Sequence, residues 1–291
     1  MEGAETMGAL LSSRARPSPR PRLAKLGITA LMLAIALAMV LPFVLMISAS
    51  FKYSAEAFED PLRLIPKRIN WNNYGEIFRH KYYFRWFLNS GLTAMAIILL
   101  KTTVVSMVAY AFAKLHFRGR DTLFVILMSA MMITPDSTIV ARYLQYSYMG
   151  LINSLWVLIL PALFGVYFVF LLRQFFMGIP NELSEAALMD GASHLGIYSR
   201  IIIPLSKPAL LTMVLFSFIW SWNDYINPFV FITPVTTQVL TVGLQSFQTE
   251  YSVDTSLQMA GVCISLLPVL LIFILVQDYF VEGIASTGIK G

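Results

Sequence analysis

Few residues in this chain could carry chemistry, and fewer stand close enough together to act as a group. His80, His116 and His194 fall in three separate connecting stretches with no metal-ligand spacing between them. Cys263 is the single cysteine, which excludes an intramolecular disulfide and a multi-cysteine metal site. Its apolar neighbours mark it as a packed residue. No Gly-rich phosphate loop of the Walker type occurs. No catalytic residue, metal or resident cofactor is therefore expected.

Two polar features interrupt otherwise apolar stretches. Lys101 lies in the middle of a long hydrophobic run. A lysine at that depth in a membrane costs about 2.5–3.5 kcal/mol on insertion scales. It either lines a pathway, pairs with a carboxylate, or fills a wet gap between helices. The run Trp222-Asn223-Asp224-Tyr225 offers aromatic faces beside amide and carboxylate groups. That set suits a sugar, with its C–H faces and hydroxyls; hydrogen bonding between packed helices explains it as well. The packing explanation is preferred for this group.

The elements that must position these residues follow from composition. Of 291 residues, 57% are hydrophobic and only 13% charged, against roughly 25% charged in a soluble domain. Much of the surface must face something apolar. A spanning helix needs about 20 apolar residues, and six segments qualify: 26–47, 87–113, 123–140, 155–176, 210–232 and 259–276. Each must be helical, because an unpaired amide in lipid costs several kcal/mol. The expected fold is all-α, a polytopic membrane protein of six helices over residues 26–281. A disordered cytoplasmic tail (1–25) precedes them and a short cytoplasmic tail (282–291) follows. The run after Lys25 exceeds a signal-peptide core and lacks a cleavage site, so it reads as a retained helix. The 15 methionines are scattered and suit adaptable packing.

The net charge of +5 concentrates before the first span and in short connections, which suits membrane orientation rather than nucleic-acid binding. Arg14, Arg16, Arg20, Arg22 and Lys25 precede the first span; Lys114, Arg118 and Arg120 follow the second; Arg173, Arg200 and Lys207 surround the fourth connection. Both termini are thus expected in the cytoplasm. The first connection runs against this rule, with Lys52, Arg63, Lys67, Arg68, Arg79, Lys81 and Arg85. Its aromatics, including Trp71, Tyr74 and Phe78, predict an amphipathic segment at the outer interface.

The connection 179–208 is the most informative stretch. Pro180 or Asn181 can open a helix whose start suits Glu182 and Glu185. Ala186, Ala187, Leu188 and Met189 favour helix, and Gly191 allows a left-handed stop after Asp190. A second short helix is predicted over 193–202, broken by Pro204 and Pro208. Leu183, Ala187, Leu195, Ile197 and Tyr198 would give this helix–turn–helix an apolar docking surface.

Glu185-Ala186-Ala187, then Asp190-Gly191-Ala192, then Ile201-x-Ile203-Pro204, resembles the EAA loop of ABC importer membrane subunits. Ile203 departs conservatively from the leucine usual before that proline. The resemblance covers nearly the whole chain after the first 25 residues. It includes Asn89-Ser90, Ala109 to Ala113, the Trp222 to Tyr225 run with Pro228, and the ending Gln277 to Gly291. These are similar to the carbohydrate, maltose-type branch. The resemblance implies a bacterial plasma-membrane permease for a sugar or oligosaccharide. Its implied partners are a second membrane subunit, two ATPases holding ATP and magnesium, and an extracellular binding protein. It implies that Glu185 meets a basic ATPase residue, that the loop docks as a coupling helix, and that the tail with Thr287, Lys290 and Gly291 reaches between the ATPases. An integral membrane enzyme would need more ionisable residues within the spans than Lys101 and Asp224. A secondary transporter would show inverted repeats and broken helices, and neither is expected here.

Overall fold

A computed structural model describes residues 22–247 and 254–288. Among them the regular structure is helical throughout. Four segments are long and apolar enough to cross a membrane unaided: Leu26–Ser50, Tyr83–Lys114, Trp156–Met177 and Thr255–Gln277. Two more crossings arise only if bent pairs are counted as one span each. Arg120–Met132 meets Pro135–Tyr148 at 86°, and His194–Leu205 meets Lys207–Trp222 at 80°.

Helix α1 (Arg22–Ser50) begins before the expected Leu26, and residues 1–21 of the expected tail lie outside the described residues. Its sides stay exposed along most of its length, as a lipid-facing helix requires. The first connection is folded rather than loose. It carries α2 (Ser54–Glu59) and α3 (Asn72–Arg79). Asn73 is buried and its amide donates to the Ser50 and Lys52 carbonyls, at 2.8 and 2.9 Å. Lys52 is fully buried, with its ammonium on the Asp60 carbonyl at 2.9 Å. One basic residue that breaks the charge rule is thus held by the fold itself.

Helix α4 (Tyr83–Lys114) is the central element. Around its lower half pack α8 (Val166–Met177) and the connection after it, through Val105, Ala109, Phe168, Leu172, Phe176, Ile197, Ile202 and Met213. Around its upper half, Phe218, Trp222, Leu240 and Ala260 pack with Trp86 and Ala94 of α4 itself.

The third and fifth spans correct the sequence reading, and the fourth, present as expected over Trp156–Met177, carries an interruption. The segment expected over 123–140 is α5 (Arg120–Ser129), a break at Ile133 and Thr134, and α6 (Ile139–Tyr148). Pro135 lacks an amide hydrogen and pushes Thr134 to an extended backbone, ψ 132°. The fourth span is α7 (Trp156–Ala162) and α8, parted at 163–165 just after Pro161. The helix expected over 193–202 is α9's successor, after α9 (Asn181–Met189). It comprises α10 (His194–Ile197), a π turn (Tyr198–Ile202) and α11 (Ile203–Leu205). Pro204 does not break it. It stands in the first turn of α11, directly after the wide π turn, and the chain bends instead at buried Ser206. The fifth span is α12 (Lys207–Trp222), a break at Asn223–Tyr225, and α13 (Ile226–Phe231). At 1.5 Å per residue α12 is about 24 Å long, short of the ~30 Å core. After α14 (Leu240–Gly243), the last helix α15 runs Thr255–Gly288. It passes Val276 and Gly283, so Thr287 is helical; Lys290 and Gly291 lie outside the described residues. Broken helices are therefore present, and their supposed absence is no argument against a secondary transporter.

Candidate functional site

Two regions combine exposed or cavity-facing function with a built framework, and α4 joins them. The first is the 179–208 connection. Pro180 has extended ψ, 136°, and the helix opens at Asn181. At its end Gly191 has φ +80°. The Gly191 amide reaches the Leu188 carbonyl at 3.0 Å and the Ala192 amide reaches the Ala187 carbonyl at 2.9 Å. These paired bonds form a Schellman stop. The Ser193 hydroxyl then caps α10, accepting from the Gly196 amide at 3.2 Å.

Helix α9 buries none of its residues. Glu185, Ala186 and Asp190 are exposed, and Glu185 has no ion pair among the described residues. Leu188, Met189 and Leu195 are exposed beside them, Met189 at 88%. Ala187, Ala192 and Ile201 instead pack against the core, and Pro204 is exposed. Ile197, expected on the docking surface, faces inward and is 1% exposed.

This connection is pinned to α4 at two points. The Lys114 ammonium donates to the Ile179 carbonyl at 2.6 Å and to the Asn181 side chain at 2.7 Å. The Ser106 and Tyr198 hydroxyls meet at 2.7 Å. The other half of α4 walls a cavity of about 450 Å³ through Ser90, Thr93, Ile97 and Lys101.

That cavity is the second region. Its opposite walls come from the breaks in the third, fourth and fifth spans, through Pro135, Pro161 and Asp224. Asp224 accepts from the Asn227 amide at 2.9 and 3.1 Å, and Arg142 donates to the Asn227 side-chain oxygen at 3.1 Å. Among the described residues, the hydroxyls of Thr93 and Ser217 are buried without a partner, as is Nε of Arg142. Lys101 is buried, with its ammonium 4.7 Å from the Phe168 ring centre and 5.8 Å from that of Trp220. Donors, acceptors and one aromatic face thus converge on one hollow, which can bind a polyhydroxylated molecule.

The structure divides the four residues proposed for sugar contact. Asp224 faces the cavity. Trp222 is 5% exposed, stacks on Phe218 and donates to the Ser265 carbonyl at 3.0 Å, so it packs helices together. Asn223 is exposed and bonds the Ile219 carbonyl; Tyr225 stacks on Phe229. Neither lines the cavity. Trp220, Arg142 and Asn227 line it instead. Asn227-Pro228, polar and helix-breaking inside an apolar run, was the one sequence signal for them.

The family model described as "Binding-protein-dependent transport system inner membrane component" matches residues 6–286. An arabinooligosaccharide transport permease of Bacillus subtilis is 30% identical over 279 residues, covering 95% of this chain and 99% of that protein. Its counterpart in Halalkalibacterium halodurans is 32% identical over 260 residues, covering 88% and 93%. A solved chain from a bacterial ABC transporter that imports the acidic polysaccharide alginate superposes with a TM-score of 0.81. It is 25% identical, over 91% of this chain and 99% of that one.

Proposed function

Since the chain belongs to the family of binding-protein-dependent transport system inner membrane components, and is thus a non-enzymatic ABC importer permease, we propose that it conducts a saccharide through the cavity walled by α4. A second membrane subunit supplies the facing wall. Of two ATPases, which hold ATP and magnesium, one docks on α9, and an extracellular binding protein delivers the saccharide. Both termini are cytoplasmic, and the C-terminal segment with Thr287, Lys290 and Gly291 contacts the ATPases.

The observation that carries this reading is the double duty of α4. One helix bears cavity residues from Ser90 to Lys101 and is fastened to the docking connection at Ser106 and Lys114. Closure of the ATPases moves α9 as a rigid body, and α4 transmits that motion to the cavity wall. The exposed Leu188 and Met189 give α9 an apolar face for a groove, and the free Glu185 carboxylate supplies charge for a basic partner.

The test is uptake by proteoliposomes holding the full complex, with saccharide-loaded binding protein outside and ATP within. Uptake that needs ATP, and hydrolysis stimulated by the loaded binding protein, are expected. Uptake driven by a proton or sodium gradient without ATP would refute the reading.

A further inference from the structure

We infer that the cavity takes an anionic saccharide, one bearing carboxylates as uronate oligosaccharides do, and that the Lys101 ammonium meets that carboxylate; this rests on the saccharide reading above. Lys101 is 7% exposed, and what exposure it has faces the cavity. Its ammonium has no ion-pair or hydrogen-bond partner among the described residues. Its neighbours are ring faces, Phe168 and Trp220. These attract a cation but leave its three N–H donors without an oxygen.

The other charged groups in the hollow have neutral hydrogen-bond partners, Asp224 through Asn227. Arg142 donates to the Asn227 side chain and the Pro135 carbonyl, and it lies within electrostatic range of Asp224. Of the charged groups lining the hollow, Lys101 is the one with neither a hydrogen bond nor an ion pair among the described residues. The fold also makes room for it. A Cβ at Gly165 would stand 2.6 Å from Cε of Lys101, so with glycine there the lysine stem keeps its present position without shifting.

A neutral saccharide gives no reason for an unpaired ammonium in the membrane interior, since hydroxyls and amides would serve it. A cationic substrate would be repelled. A carboxylated one completes the lysine's hydrogen bonds by charge-assisted contact, while the unpartnered Thr93 and Ser217 hydroxyls remain for its neutral groups.

The test uses the complete complex with its binding protein in proteoliposomes. The probes are oligogalacturonates, mannuronate oligomers and glucuronoxylan fragments, set against neutral arabino-, xylo- and galacto-oligosaccharides. The wild type is expected to take up a uronate series. Lys101→Met should raise its half-saturating concentration at least tenfold, and Lys101→Arg should retain most of the affinity. Uptake of neutral oligosaccharides alone overturns the inference and leaves the saccharide reading standing. So does a Lys101→Met complex that assembles poorly while the wild type prefers neutral sugars, the signature of a lysine paired with the second subunit. Uptake of neither class rejects both readings. If Lys101→Met does not assemble, the wild-type preference and the Lys101→Arg affinity decide.

Discussion

Gly191 isolates backbone strain from every other effect. Its φ is +80°, and a Cβ built there meets nothing within 4 Å. Gly191→Ala therefore adds no clash. Its cost is the left-handed backbone alone, about 1–2 kcal/mol for an L residue with a Cβ. The turn is held by the Gly191 to Leu188 and Ala192 to Ala187 bonds, each worth about 0.5–1.5 kcal/mol net. Strain and local stabilisation are thus comparable. A shift of that size changes the population of the closed turn by a factor of about 5–30. Because α9 fully buries none of its residues and touches the core only on a partly buried face that includes Ala187, little packing within this chain resists the change. Gly191→Ala should insert normally but bind the ATPase about 5–30-fold more weakly, read by titrating ATPase against purified membrane subunits. Gly191→Asn should recover part of the loss, since asparagine tolerates the left-handed region. An asparagine variant as weak as the alanine one would refute strain as the cause, and wild-type binding by both would show that the turn does not limit docking.

Glu185 is exposed and makes no ion pair among the described residues, so Glu185→Ala should change the permease's own stability by less than about 0.5 kcal/mol. If its carboxylate meets a basic ATPase group, the loss of docking should reach about 2–5 kcal/mol; undiminished copurification of the ATPase would show that it does not. Gly165→Ala places a Cβ 2.6 Å from Cε of Lys101, where carbon atoms ordinarily sit about 3.5–4.0 Å apart. The flexible lysine stem must shift by about 1 Å, which a rotamer change accommodates for about 0.5–1.5 kcal/mol. Transport should fall several-fold while the melting temperature moves little; a large melting shift with normal transport would mean that the glycine serves packing alone.

The 179–208 connection was legible because its determinants are local. Asn181 at the start, four good helix formers and Gly191 at the stop fix α9 within a dozen residues, and the structure has each in that role. The first, second, fourth and sixth spans were legible because length and hydropathy alone mark them. The cavity wall was not, because it depends on direction around a helix axis. At about 100° per residue, Trp220 and Trp222 point some 200° apart, so one faces the cavity and the other the packed core. Both are tryptophans in the same apolar run, and composition cannot tell them apart. The inward turn of Ile197 was hidden for the same reason: the π turn that follows it shifts the helical register.

The breaks in three spans are where the sequence held more than hydropathy could extract. In lipid a broken helix leaves amides and carbonyls unpaired at several kcal/mol each, so irregular backbone survives only inside protein or beside a wet hollow. All three breaks border the same cavity, through Pro135, Pro161 with Ala162, and Asp224 with Asn227. Proline alone is not the signal. Pro42 and Pro268 lie inside the unbroken helices α1 and α15, and neither lines the cavity. At the breaking positions proline is accompanied by polar residues or glycine within a few positions: Thr134-Pro135-Asp136, Pro161 with Gly165, and Asn223-Asp224 ahead of Asn227-Pro228. Ser265 stands as near to Pro268, but its hydroxyl bonds the Val262 carbonyl of its own helix. The neighbours matter because they supply what the break exposes. Asn227 and Thr241 bond the Asp224 side chain and carbonyl, and Arg142 bonds the Pro135 carbonyl. A proline without such partners must keep its helix; a proline with them can release it, and the released backbone and its polar escorts then form the wall of the cavity.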